Sequence, residues 1–297
     1  MKTVVSVSLG STRGDFDIEA TLGGTRFRFR RLGAGGDLRQ ARNLVEQLDG
    51  QVDAIGLGGA NLAYRVGARL YPCREGLSVA GGARITPVVD GSGFKDTYER
   101  DVPGYLERNG IPVAGENVLL VSALDRWGLG EGLEAAGARV MVGDALFALG
   151  LPVIFPGLRW FEAAARLSMW GLCRLPLNRL YPLGADEEAN APRLTRAWRL
   201  ASIVAGDFHF IKRYMPRSLK GKTIVTTSTR PEDRELLRER GVRATCTMMP
   251  PLEGRTFGAN VLDASAVAAK GRFPLEREDY VLWWEQAGLR PHVEWYK

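Results

Sequence analysis

Apolar positions along this chain change their spacing in turn between that of a strand and that of a helix. Thr3 to Leu9 (TVVSVSL) predicts a strand that runs into Gly10-Ser11-Thr12-Arg13-Gly14, and Gly24 to Leu32 (GTRFRFRRL) alternates Arg and Phe as a half-exposed strand should. The spacing then lengthens. Leu38, Ala41, Leu44, Val45 and Leu48 form one stripe, with Asp37 as N-cap and Asp49-Gly50 as the stop, which predicts a helix over 38–48. Val52 to Leu57 is the next strand, leading into Gly58-Gly59-Ala60-Asn61 and a short helical pattern around Leu62 to Leu70. Ile85 to Val89 reads as a strand ending in Asp90-Gly91-Ser92-Gly93, followed by a helix through FKDTYERDVPGYLERNG.

The second half repeats the alternation. Val118 to Val121 is a continuous apolar run of the kind a buried parallel strand needs, Gly128 and Gly130 open a helix, and Arg139 to Val142 forms a strand ending at Gly143-Asp144. That is the outline of a nucleotide-binding βαβ unit, without the GxGxxG fingerprint: the loop reads Ser122-Ala123-Leu124-Asp125-Arg126-Trp127-Gly128. Further strands are predicted at 201–205, 223–227 and 243–248, and helices at 231–240, 259–269 and 276–287. Strands in turn with helices predict an α/β fold of two domains. With the connector IPVAGE at 111–116 as boundary, residues 1–112 form an N-terminal α/β domain, and 113–275 a Rossmann-like nucleotide-binding domain with a helical insertion at about 146–200.

Composition narrows the partners. Across 297 residues, 40 Lys and Arg against 34 Asp and Glu give a net charge of +6, which favours an anionic small molecule. The charges are interspersed, so no nucleic-acid surface is expected. Three separated cysteines and two histidines are read as reduced thiols with no metal site. With no apolar leader and no run of about 20 apolar residues, the chain is expected in the cytoplasm with no transmembrane segment.

The strand ends carry the candidate chemistry, because ligands of an open parallel sheet lie outside the carboxyl ends of its strands. Lys95, four residues past Gly91, is paired with Asp90 as the proton-transfer couple, on the expectation that partial desolvation lowers the ammonium pKa towards working pH. His209, between Phe208 and Phe210, is a third catalytic candidate. Asp144 is placed on the ribose hydroxyls of an NAD-type cofactor, with Ser122, Asp125, Arg126, Gly128, Gly130 and Thr227 lining the same site. NADP remains open through Arg126 and Arg139. Ser11, Arg13, Gly58, Gly59, Ser92 and Arg255 are candidates for binding an anionic substrate. Residues 159–174 (RWFEAAARLSMWGLCR) form a basic amphipathic helix, read as a packing or dimerisation surface, with a membrane-surface helix as the alternative.

The stretches VSLGSTRGD, VDAIGLGGANL, TPVVDGSGFKDTYER, ALDRWGLGEGL, GDFHFIKRYMP and LEGRTFGANVLDA resemble a group of bacterial quinate or shikimate 5-dehydrogenase-like proteins. The resemblance implies an NAD(P)-dependent oxidoreductase acting on a hydroxyl or carbonyl of a small carboxylate-bearing molecule held between two domains. It also implies that residues 276–297 form a helix and tail returning to the first domain. The Gly-rich loop and Lys motif of well-understood shikimate dehydrogenases are not matched residue by residue, so Lys95 and Asp90 stand on this sequence alone. Two alternatives remain: a non-catalytic nucleotide- or metabolite-binding regulatory protein, and a membrane-surface enzyme with an apolar substrate.

Overall fold

Val4, Val5 and Val7 are fully buried, as the central strand of a sheet covered on both faces requires. A computed structural model describes residues 1–174, 190–193, 196–249 and 257–296. In the first half the elements are β1 (Lys2–Ser8), a 3-10 turn at Thr12–Gly14, β2 (Phe16–Leu22), β3 (Thr25–Gly33), α1 (Leu38–Leu48) and β4 (Ala54–Gly58). There follow β5 (Ala63–Val66), β6 (Arg69–Pro72), α2 (Arg74–Ala80), β7 (Val88–Val89) and α3 (Ser92–Arg108). The first sheet has the order β2-β3-β1-β4-β7, all parallel except β2, which is antiparallel to β3.

The second half contributes β8 (Asn117–Leu120), α4 (Trp127–Ala135), β9 (Arg139–Val142), α5 (Asp144–Phe147), β10 (Phe155–Pro156) and α6 (Leu158–Leu172). It continues through α7 (Arg196–Leu200), β11 (Ile203–Ala205), α8 (Phe208–Tyr214), β12 (Thr223–Thr226), α9 (Pro231–Glu239) and β13 (Ala244–Thr247). The chain closes with α10 (Ala259–Lys270), α11 (Arg277–Ala287) and β14 (His292–Trp295). The second sheet runs β10-β9-β8-β11-β12-β13-β14, with antiparallel strands at both edges. Its five parallel strands take the doubly wound order 2-1-3-4-5 of Rossmann-like folds. The order reverses between β8 and β11, so a crevice opens outside their carboxyl ends.

The seam between the sheets is built around α3, which is buried on most of its circumference. Trp284 of α11 donates to Thr97 Oγ1 at 2.7 Å, and its ring meets Phe94 edge-on. At about 25 cal/mol per Å² over roughly 200 Å² of aromatic surface, each of the buried Trp283 and Trp284 contributes about 5 kcal/mol of gross transfer energy. On its other side α3 crosses α4 at short range. A Cβ on Gly128 would run into the Lys95 carbonyl, and one on Gly132 into the Arg100 carbonyl, so glycine is what lets these helices touch.

Several elements differ from the sequence expectation, four of them around the seam and the two sheets. The segment at 62–70 is a β-hairpin, not a helix: AYRV and RLYP pair across Gly67 at φ +59°, and the apolar positions there fit a two-residue period as well as a helical one. Strand β2 adds an edge to the first sheet that its polar outward face had hidden. Helix α10, expected with the second domain, packs on β1 and β4 of the first sheet, where Asn260 Nδ2 donates to Ser6 Oγ (2.8 Å) and Gly56 O (3.0 Å). Helix α11 does lie on α3, but the tail at 292–295 returns to the second sheet as β14.

Candidate functional site

Two loops and the first turn of α3 converge at the crevice. Lys95 projects from the first turn of α3, Asn61 from the loop between β4 and β5, and Asp125 from the loop between β8 and α4. Lys95 Nζ lies 2.7 Å from Asp125 Oδ1 and 3.2 Å from Asn61 Oδ1, and Asn61 Nδ2 donates to Asp125 Oδ1 at 3.0 Å. The Tyr64 hydroxyl hydrogen-bonds Asn61. The pair is nearly sealed, with side-chain exposures of 11% for Lys95 and 8% for Asp125.

A second layer of charge supports it. Arg126, next along the loop, is ion-paired with the fully buried Glu99 of α3, and its Nε lies 3.4 Å from Asp125 Oδ2. Its Nη2 is 3.6 Å from Asp207 Oδ2. Burial, the largest influence, and the Arg126 charge pull the Lys95 ammonium down, but the Asp125 carboxylate together with the Asp90 charge outweighs them and holds the pKa above the ordinary lysine value. Conversely, Lys95 and Arg126 outweigh the burial of Asp125 and keep its carboxyl below the usual range. Burial pushes Glu99 up to about 7 against the pull of Arg126. Lys95 therefore stands as an ammonium at neutral pH, a hydrogen-bond donor and acid towards an oxygen in the cleft.

The expectation that desolvation lowers the Lys95 pKa is corrected by these charges, and its partner is corrected as well. Asp90 does not bond to Lys95: its Oδ1 accepts from Ser92 N (3.0 Å) and Ser92 Oγ (2.6 Å), and its Oδ2 from Leu62 N (2.5 Å). It shapes the entry to α3. Asp125, expected among cofactor contacts, is the carboxylate that meets Lys95. Asn61 and Tyr64 were not singled out, and the only sequence signal for Asn61 was its place at the end of a Gly-rich strand exit. Ser92 lines the cleft mouth with Asn61, Arg65 and Lys95. Ser11 and Arg13 are not among the lining residues; Ser11 caps the 3-10 turn by accepting from Arg13 N at 3.1 Å. Gly58 ends β4 against Ser8 and Asn260, and Gly59, at φ +79°, packs on Leu9. His209 is half-buried in the first turn of α8, whose N-cap Asp207 accepts from its backbone N–H at 2.9 Å. Thr227 follows β12 with its Oγ1 buried and unpartnered. Arg255 lies outside the described residues.

The residues placed on a dinucleotide fit it poorly. Asp144 is 8% exposed and commits both oxygens to the β8–α4 loop, accepting from Ala123 N (2.7 Å) and Leu124 N (2.8 Å). It neither faces a ribose nor leaves those N–H groups for a pyrophosphate, because its own carboxylate takes the place of the anion. Burial pushes Asp144 up to about 7 although these N–H groups oppose it. Gly128 is spent on the α3 crossing, and Gly130 packs on Leu120 and Leu158. Arg126, the candidate phosphate contact, is 5% exposed and paired with Glu99. Where the cofactor was expected, a cavity of about 290 Å³ opens under α6, lined by Phe155, Phe161, Ala165, Met169 and Leu172 among others. The outer face of α6 exposes Trp160, Leu167 and Trp170.

Among the described residues there is no group of three His, Cys, Asp or Glu side chains that could hold a metal ion, and no helix long and apolar enough to cross a membrane. Two family models match the chain, Domain of unknown function (DUF8753) over residues 3–90 and Domain of unknown function (DUF8754) over residues 93–296. No curated protein matches. Among solved structures, the chain is similar to the hetero-hexameric glutamate dehydrogenase of Thermus thermophilus in its Leu-bound form, at 13% identity and a TM-score of 0.46, covering 97% of this chain and 73% of that one. It is also similar to shikimate 5-dehydrogenase of Thermus thermophilus in complex with NADP(H) and shikimate, at 12% identity and a TM-score of 0.37, covering 97% and 100%. A galactofuranose binding protein matches at 12% identity and a TM-score of 0.35, covering 97% and 99%.

Proposed function

The chain belongs to the family of the Domain of unknown function DUF8754, and we propose that it is an enzyme exchanging a proton with a hydroxyl or carbonyl oxygen of a small molecule between its domains. This is the proton half of an oxidoreductase reaction. The observation that carries it is the Lys95 ammonium, 2.7 Å from Asp125 and 3.2 Å from Asn61, in the cleft. A carbonyl oxygen that gains negative charge there takes the Lys95 proton, becoming a hydroxyl while Lys95 becomes a neutral amine. In the opposite direction the neutral amine accepts the hydroxyl proton. Asp125 favours the charged form and Asn61 fixes the direction of Nζ, so Lys95 is positioned to act at a defined point.

In the dehydrogenase reading, NAD or NADP would supply the hydride. The β8–α4 loop does not fit its pyrophosphate, and these residues account for the proton alone. Nor does the carboxylate-bearing substrate find a ready partner: Arg65, at the cleft mouth, is paired with Glu131 at 3.0 Å and Asp96 at 2.8 Å.

Proton exchange is the test. A panel of small ketones and aldehydes is incubated with the protein in ²H₂O, and loss of the proton signal beside the carbonyl is followed by NMR. A donor on the carbonyl oxygen acidifies that carbon, whose proton passes to solvent water as the enol forms and is replaced by deuterium when the ketone returns. NADH and NADPH absorbance is read in parallel for reduction. Lys95→Met is expected to slow exchange by about 10²–10⁴-fold, the usual contribution of a positioned acid or base. Equal rates in wild type and Lys95→Met overturn the assignment.

A further inference from the structure

We propose that the crevice at the β8–β11 switch point takes an uncharged apolar small molecule, with its polar head towards Asp125, in place of a dinucleotide. This goes beyond proton transfer and stands on the cavity alone.

At about 290 Å³ the cavity is close to the lower end of the roughly 300–1,000 Å³ usual for small-molecule sites. Its wall is mostly carbon, from Val121 and Leu124 on the β8 side, Ala145 and Ala148 of the α5 segment, and Phe161 and Met169 of α6. Five polar side chains reach it, and each already has a partner. Ser122 Oγ accepts from Asp207 N at 2.9 Å, and Ser168 Oγ donates to the Ala164 carbonyl at 3.3 Å. Asp144 holds Ala123 N and Leu124 N, Asp125 holds Lys95, and the Tyr64 hydroxyl is bonded to Asn61. The wall thus asks for no hydrogen bond from an occupant along its length.

Charge points the same way. Among the described residues lining this cavity there is no Lys or Arg, while two carboxylates, Asp125 and Asp144, are present. A diphosphate would find no cation in the described wall itself, and Asp125 there has its own sign. An aliphatic or aromatic body meets a mostly apolar wall, and apolar cavities bind such molecules. Tyr64, Leu124 and Asp125 line both this cavity and the cleft mouth at Lys95. An apolar alcohol, ketone or aldehyde lying in the cavity therefore brings its oxygen to the Asp125 end. Helix α6 roofs the space with Phe161, Ala165 and Met169 inward.

Binding of N-phenyl-1-naphthylamine, an uncharged dye that fluoresces in dry surroundings, tests this on the full chain. Wild type is expected to bind it saturably at one site, with dodecan-1-ol displacing it and NADH and NADPH leaving it bound. Ala164→Phe and Ala148→Phe fill the cavity from opposite walls, and each is expected to weaken binding at least tenfold. Leu167→Ser, on the outer face of α6 at 89% exposure, is expected to leave binding unchanged. Displacement by NADH or NADPH overturns the proposal, as does undiminished binding in the filled variants or loss of binding in Leu167→Ser, which would place the dye on the surface. Competition needs no variant, so the result is decisive even if a filled variant does not fold. Lys95→Met read in the same titration separates binding from chemistry, since the dye has no carbonyl for Lys95 to act on.

Discussion

Replacing Lys95 by Met removes one member of a buried ion pair and leaves the other in place. With Nζ and Oδ1 2.7 Å apart, the gross attraction is about 6 kcal/mol at an effective dielectric constant near 20, much of it offset by the desolvation of both groups. Removing a single partner of a buried pair costs about 3–5 kcal/mol, because the remaining charge is stranded. Asp125 would keep Asn61 Nδ2 at 3.0 Å and Arg126 Nε at 3.4 Å, which places Lys95→Met at the lower end, about 3 kcal/mol. Asp125→Asn leaves Lys95 beside Arg126 with neutral amide oxygens, Asn61 Oδ1 at 3.2 Å among them, and costs a similar amount. The double variant strands neither charge, so the two losses do not add, and a coupling of about 2 kcal/mol is expected. Urea unfolding of wild type, both single variants and the double variant, followed by circular dichroism, closes the cycle. A coupling below about 0.5 kcal/mol refutes the pairing of Lys95 with Asp125.

Further outcomes follow from the seam and the buried acids. Gly132→Ala drives a methyl group into the Arg100 carbonyl and is expected to cost about 1–3 kcal/mol in the same assay. Gly171→Ala, in a helix with nothing within 4 Å of the new Cβ, is expected to gain about 0.5–1 kcal/mol; equal effects would remove the close-crossing account of α3 and α4. Burial pushes Glu99, Asp144 and Asp263 up to about 7. The folded state therefore holds more protons than the unfolded chain between about pH 4 and 7, and the stability these groups contribute below that window is lost as pH rises through it. Asp263→Asn should flatten the fall in unfolding free energy by about 1 kcal/mol per pH unit, and an unchanged slope contradicts the assignment for Asp263. Cys73 and Cys173, 100 residues apart in sequence, bring their Sγ atoms to 3.9 Å. Diamide is expected to join them, leaving Cys246 alone open to alkylation after unfolding, and to raise the unfolding free energy by up to about 4–5 kcal/mol in a chain-entropy account, whereas three alkylatable thiols would exclude the bridge.

The parallel strands were legible because burial on both faces demands continuous apolar runs, as in Val118 to Val121. Their ends were legible because glycine, serine and aspartate cluster where a strand turns into a helix. The hairpin at 63–72 was not, since four residues either side of Gly67 satisfy a two-residue and a helical period almost equally. Lys95 could be picked out as a charged residue just past a Gly-Ser-Gly turn. Its partner could not, because Asp90 is five residues away in sequence and Asp125 thirty, and only the α3–α4 crossing brings the latter into reach. Asp144 shows the opposite failure. Its position at the end of the second βαβ strand invites a ribose, yet a loop with no glycine between Ser122 and Trp127 turns its N–H groups onto that carboxylate instead.

Asp125 holds Lys95 as an ammonium in the cleft. The most direct measurement is a pH titration of the ¹³Cε resonance of Lys95, with labelled lysine and assignment by Lys95→Met, in wild type and Asp125→Asn. The account predicts a wild-type pKa above the ordinary lysine value that falls by at least a unit in Asp125→Asn. A wild-type value at or below the ordinary one, or no change on removing the Asp125 charge, would contradict it.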